Sequence, residues 1–170
     1  MDRYVILIEG RGGADGNFLL DLKQAIPSAL ALYVRHKQPE WLSEAHRVAN
    51  VQRWAQAIAP AFLTAVMFQD KPFVFKGLQP TQDRLALTLW NGKLKRLDQV
   101  IRSMGEIVAW SHLRSGGRSG FAITDEWLVF GDRRDWQEPL LKLAIGHSAK
   151  IESDWDKYCK GFDRSGKSWR

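Results

Sequence analysis

The chain has 170 residues, of which 45% are hydrophobic and 26% charged, and its formal net charge is +6. That balance fits one folded domain with its own core and excludes a disordered chain. Cys159 is the sole cysteine, which excludes an internal disulfide and a thiolate metal cluster and suits a reducing cytoplasm.

The apolar run from Tyr4 to Ile8 is too short for a signal peptide or a membrane span, and no other segment comes closer. The expected location is cytoplasmic, with no membrane partner. Basic residues gather only in small groups, at Lys93, Lys95 and Arg96, at Arg133 and Arg134, and from Lys160 to Arg170, with carboxylates among most of them. This scatter reads as a solvated surface and argues against nucleic acid, whose binders concentrate charge on one face.

Residues Arg3 to Glu9 alternate in a strand pattern, and GRGGADGN after them is a turn, so strand, turn and strand is expected. The glycines there lack the G-x-G-x-x-G order and read as a hairpin loop. The second strand runs from Phe18 to Gln24, ahead of Pro27. From Pro39 to Ile58 the apolar positions Trp41, Ala45, Val48, Val51, Ala55 and Ile58 mark one helix face, and Pro60 stops it. Phe62 to Gln69 and Phe73 to Leu78 then read as a hairpin around Asp70-Lys71, with Pro72 at the start of its second strand.

LALTLW fits a strand or a helix, and Asn91-Gly92 ends it. Leu94, Leu97, Ile101, Met104 and Val108 form a stripe that predicts a long amphipathic helix to about Leu113, and SGGRSG is a flexible stop. A short helix is expected around Asp125 to Val129, followed by a last helix with Asp135 as its N-cap and Leu140, Ala144, Ile151, Trp155 and Tyr158 along it. Gly161 to Arg170 read as frayed and polar. The pattern predicts an α+β fold: a small, mainly antiparallel sheet with one packed helix over residues 1–80, a helical part over 81–162, and a polar tail over 163–170.

Lys23 stands out because it closes a nearly unbroken apolar strand. By alternation it shares a face with Leu19 and Asp21, opposite Phe18, Leu20 and Leu22, and a lysine opposite the core points into water. The competing reading rests on layout. A strand lysine followed by a helix bearing a carboxylate or an amide is the arrangement in which a lysine contacts nucleotide phosphates and a helix residue holds it. Glu44 and Gln52 are the candidates on the helix.

His112, Arg114 and Arg118, around the SGGRSG turn, read as C-terminal helix residues favoured by the helix dipole, or as an anion or substrate contact. His36, His46 and His147 lack partners at metal-ligand spacing, so no metal site is expected. No G-x-S-x-G elbow is present, and the tryptophans read as packing residues.

The segments RYVILIEG, FLLDLKQAIPSAL, RVANVQRW, FKGLQPTQDRLAL and GEIVAWSHLRSGGRSGFAITDEWLVFG together resemble, in order and spacing, the C-terminal part of the bacterial family called domain of unknown function twenty-two fifty-two. Members of that family look like a kinase-like fold with permuted halves. The resemblance implies that Lys23 is the nucleotide-phosphate lysine, that Gln52 is the helix partner, and that Phe75 to Leu78, with Lys76 and Leu78 as contacts, leads into a hinge. The implied cofactor is ATP with magnesium.

The catalytic-loop motif G-D-x-H-x-x-N of that family has no counterpart here, and Asp21, Asp125 and Asp132 stand in no metal-binding context. The expectation is therefore a truncated, kinase-like part that binds nucleotide but is not a competent phosphotransferase alone. It would need the missing N-terminal half or a homo-oligomer partner. The alternative is a non-catalytic interaction module that binds a protein or nucleic acid through a basic surface.

Overall fold

The computed structural model describes residues 1–164. The chain divides into two compact units, the first from Met1 to Thr124 and the second from Asp125 onward.

The first unit is built on four strands, β1 (Arg3–Ile8), β2 (Phe18–Gln24), β3 (Thr64–Phe68) and β4 (Lys71–Gly77), all antiparallel in the order β1-β2-β4-β3. Two central strands, β2 and β4, are thus joined by their side-chain register, with Asp21 opposite Lys76 and Lys23 opposite Val74. Helix α1 (Glu44–Ala55) packs on one face. The fold is α+β.

The β1–β2 loop depends on a close backbone approach. A Cβ at Gly10 would stand 1.8 Å from the Gly16 carbonyl oxygen, so only glycine fits. Asn17 Oδ1 accepts the Gly10 amide at 3.0 Å and closes the loop. β2 stops at Gln24 because of Pro72: the Ala25 amide donates to the Pro72 carbonyl at 2.9 Å, but proline has no N–H to return the bond. The second hairpin turns on Gln69 and Asp70, one residue earlier than expected. Both have positive φ, 49° and 57°, the two-residue geometry that matches strand twist.

The helix α1 is shorter than the apolar spacing over 39–58 suggested. Ser43 caps it, accepting the His46 amide at 3.2 Å, and Gln56 is already extended. Trp41 lies outside the helix, and its ring meets Trp54 at 5.6 Å, so its apolar character reflects a tertiary contact. Ala45 and Ala49 are each 1% exposed and pack with Ala25, Leu63 and Val74. Small side chains at these two positions let the helix lie close to the sheet. On the other face, Leu20, Leu22 and Phe73 are buried, and Tyr4, Phe68 and Phe73 form a ring cluster in which Phe68 meets both of the others edge-to-face while Tyr4 and Phe73 are tilted.

LTLW forms a single 3-10 turn, Leu87–Trp90, ended by Asn91 at φ 52°. Helix α2 (Leu94–Ser115) follows, two residues longer than expected, and contacts α1. Its stripe stays open: Leu94, Ile101, Met104 and Val108 are all exposed. The loop after it folds back on α1, with Phe121 edge-on to Trp54 at 5.9 Å and Arg118 over the same ring at 6.0 Å.

In the second unit α3 (Thr124–Asp132) leads to α4 (Gln137–Arg164). Asp135 does not cap α4, which begins two residues later. Its carboxylate receives Arg133 at 2.6 Å. Phe130 stacks on Trp136 at 5.1 Å. Where fraying was expected from Gly161, α4 continues to Arg164, supported by Phe162 stacking on Tyr158 at 6.1 Å. From residue 165 the expected polar tail lies outside the described residues. No helix among the described residues is long and apolar enough to cross a membrane.

Candidate functional site

Lys23 lies on the face of the sheet that carries α1. Its register partner Val74 is in the core cluster with Ala45 and Ala49. Sequence alternation had grouped Lys23 correctly with Leu19 and Asp21, but the helix covers that side, so the lysine does not point away from all packed structure. Its side chain is exposed at the rim of a cavity of about 360 Å³ between β1, β2, β4 and α1. Gln52, half-buried on α1, lines the same cavity, as does Lys76.

The electrostatics of the cavity turn on Asp21. It is 5% exposed, and Arg3 holds it through two hydrogen bonds, Nε to Oδ1 at 2.7 Å and Nη2 to Oδ2 at 3.2 Å. The hydrogen bond and then the charge of Asp21 raise the Arg3 pKa above its ordinary value, against a small effect of burial. Asp21 is the one carboxylate among the described lining residues. With it committed to Arg3, the charges of Lys23 and Lys76 are left without a partner on the cavity wall. Lysines diagonal to one another on neighbouring strands are close enough to repel, and a shared anion relieves that repulsion. Gln52 is neutral and offers a hydrogen bond, not a counter-charge.

The remaining candidates fall elsewhere. Glu44 is in the first turn of α1, bonded to Arg47 at 2.7 Å, and lines a different cavity beside Trp41 and Ser43. Leu78 extends the sheet, its amide donating to the Leu19 carbonyl at 2.8 Å, so that amide is not available to a ligand. His112 and Arg114 are exposed in the last turn of α2, where positive charge suits the helix dipole. Arg118 sits on Trp54, and none of these three is among the described residues around Lys23.

The sequence did not single out Arg3 or Asp21 as a pair. A lone buried-strand aspartate with an arginine on the preceding strand was the available signal. Among the described residues no group of three or more His, Cys, Asp or Glu side chains is placed to hold a metal ion.

No curated protein and no solved structure matches the chain. A family model does match, over residues 1–161, nearly the whole length described above, and on that match the chain belongs to the bacterial family of uncharacterized proteins DUF2252.

Proposed function

We infer that the chain binds a nucleotide through its phosphates at the Lys23 cavity and that this polypeptide by itself does not transfer the phosphoryl group. The supporting observation is the pair of lysines, Lys23 and Lys76, that open on one cavity where Asp21, the one carboxylate among the described lining residues, is already taken by Arg3. Charge-assisted hydrogen bonds from ammonium groups to phosphate oxygens are the natural use of such a pair. Gln52 fits a positioning role, holding the Lys23 chain or a phosphate oxygen by its amide.

The lining suits phosphates better than a magnesium ion, since among the described residues no carboxylate other than the Arg3-bound Asp21 lines the cavity. Magnesium would arrive coordinated to the phosphates, where it would neutralise part of their charge. At about 360 Å³ the cavity is near the lower end of ligand sites, roughly 300–1,000 Å³. It has room for a phosphate chain more readily than for a whole nucleotide. The absence of G-D-x-H-x-x-N from the sequence supports the second half of the reading, because phosphoryl transfer needs a base and metal ligands positioned together.

Calorimetric titration with ATP, with and without magnesium, tests the reading. Binding that Lys23→Ala weakens by about tenfold or more is expected. No heat at millimolar ATP, or equal binding by both proteins, would overturn it.

A further inference from the structure

We propose that Arg3 is a third phosphate-binding cation of the Lys23 cavity, held in position by Asp21, and that it makes the site select a chain of three phosphates over two or one. The proposal rests on the phosphate reading above and narrows its ligand class.

Arg3, Lys23 and Lys76 all line the cavity. They come from three successive strands of the sheet, β1, β2 and β4. Arg3 stands directly opposite Lys23 in the register, and Lys76 stands opposite Asp21, two residues along β2 from Lys23. Side chains paired across strands share a face, so the three cations form a row across one side of the sheet. With neighbouring strands about 4.8 Å apart, Arg3 and Lys76 start from backbones roughly 10 Å apart or more. A single phosphate gathers all three cations only by crowding like charges together. A chain of three offers each cation a phosphate of its own.

The bond to Asp21 decides how the guanidinium is presented. Nε and Nη2 donate to the two carboxylate oxygens at 2.7 and 3.2 Å. The guanidinium is planar, with five donors in a fixed fork, so holding one edge leaves both Nη1 donors on the side turned away from Asp21. A guanidinium pinned in this way is already oriented, and less side-chain freedom is lost when a phosphate meets it. Asp21, 5% exposed, is a positioning residue that acts through Arg3.

Calorimetric titration of the full chain with inorganic triphosphate, pyrophosphate and phosphate tests the proposal. The wild type should bind triphosphate about tenfold or more tighter than pyrophosphate, and phosphate weakest. In the double variant Arg3→Gln with Asp21→Asn, one cation and one carboxylate leave together, so the net charge of the lining is unchanged and the two amides can still bond to each other. That variant should lose about tenfold in triphosphate affinity and keep pyrophosphate within a few-fold. Asp21→Asn alone separates position from charge. Removing a negative charge tightens every anion, the most highly charged one most, whereas a guanidinium set loose lowers the triphosphate-to-pyrophosphate ratio; the lower ratio is expected. No binding of any of the three by the wild type would overturn both this proposal and the phosphate reading beneath it. Triphosphate binding that Lys23→Ala weakens but the double variant keeps, equal wild-type affinity for triphosphate and pyrophosphate, or a ratio that rises in Asp21→Asn would overturn this proposal alone. If the double variant does not fold by circular dichroism, the ratio in Asp21→Asn decides it.

Discussion

Arg3 grips Asp21 with two hydrogen bonds across neighbouring strands, and the aspartate is almost wholly covered while the arginine is half exposed. The pair is unequal. Removing the arginine strands a charge in a covered site, whereas removing the carboxylate leaves an arginine that water can still reach.

Arg3→Ala should therefore lower the thermal midpoint by roughly 2–10 °C, and Asp21→Asn by clearly less, since the amide keeps hydrogen-bonding capacity. Thermal unfolding followed by circular dichroism gives both numbers. An equal or larger loss for Asp21→Asn would show that the order of cost is wrong.

Ala49 meets the sheet at 1% exposure, with no space for a longer side chain. Ala49→Leu should cost about 1–3 kcal/mol through overpacking, measured by chemical denaturation. Because α1 also carries Gln52, the same variant should weaken ATP binding if that binding depends on the helix position.

The Lys71 hydrogen bond and then its charge hold the Asp2 carboxyl below its ordinary value of 3.8, with burial opposing them. Lys71 is raised in turn by Asp2. A depressed carboxyl contributes stability that is complete above the ordinary value and is lost as pH falls through the lower folded value. In a thermal series from about pH 6 down to about pH 2, the wild-type midpoint should fall more steeply at the acid end than that of Asp2→Asn. The variant should be the less stable of the two at neutral pH, by a small margin because both groups are open to water. Parallel curves would remove the pair from the account of acid sensitivity.

With the Leu78 amide bonded to Leu19, the sheet has no free donor there to read a base. ATP, GTP and inorganic triphosphate should therefore bind within a few-fold of one another. Lys76→Ala should weaken all three alike, by about tenfold. Strong preference for one base in competition titrations would require a recognition element that these contacts lack.

The legible parts of the fold are those that local chemistry determines. β2 has the limits expected because its side-chain pattern is local to the strand, although the stop itself comes from Pro72 on β4 and not from Pro27. Lys23 was grouped with the right neighbours for the same reason. The side that α1 would cover is a tertiary outcome, and strand alternation carries no information about it. Asp21 is hidden by an arginine eighteen residues away, too distant for any local pattern. Trp41 misled the helix boundary because its apolar role is served by a ring contact with Trp54, not by a helix turn. Glu44 and Gln52 both lie on α1, eight positions apart, and of the two only Gln52 lines the cavity.

β2 bonds to β1 through its even residues and to β4 through its odd ones, while the same parity decides which side chains lie under α1. Loss or gain of one residue within Phe18–Gln24 would exchange both at once, turning Lys23 out of its cavity and reversing its backbone partners. Natural variation in this segment should therefore appear as substitutions at constant length. Insertions and deletions should collect instead in the stretch between Pro27 and Ser43, where no ladder constrains the count.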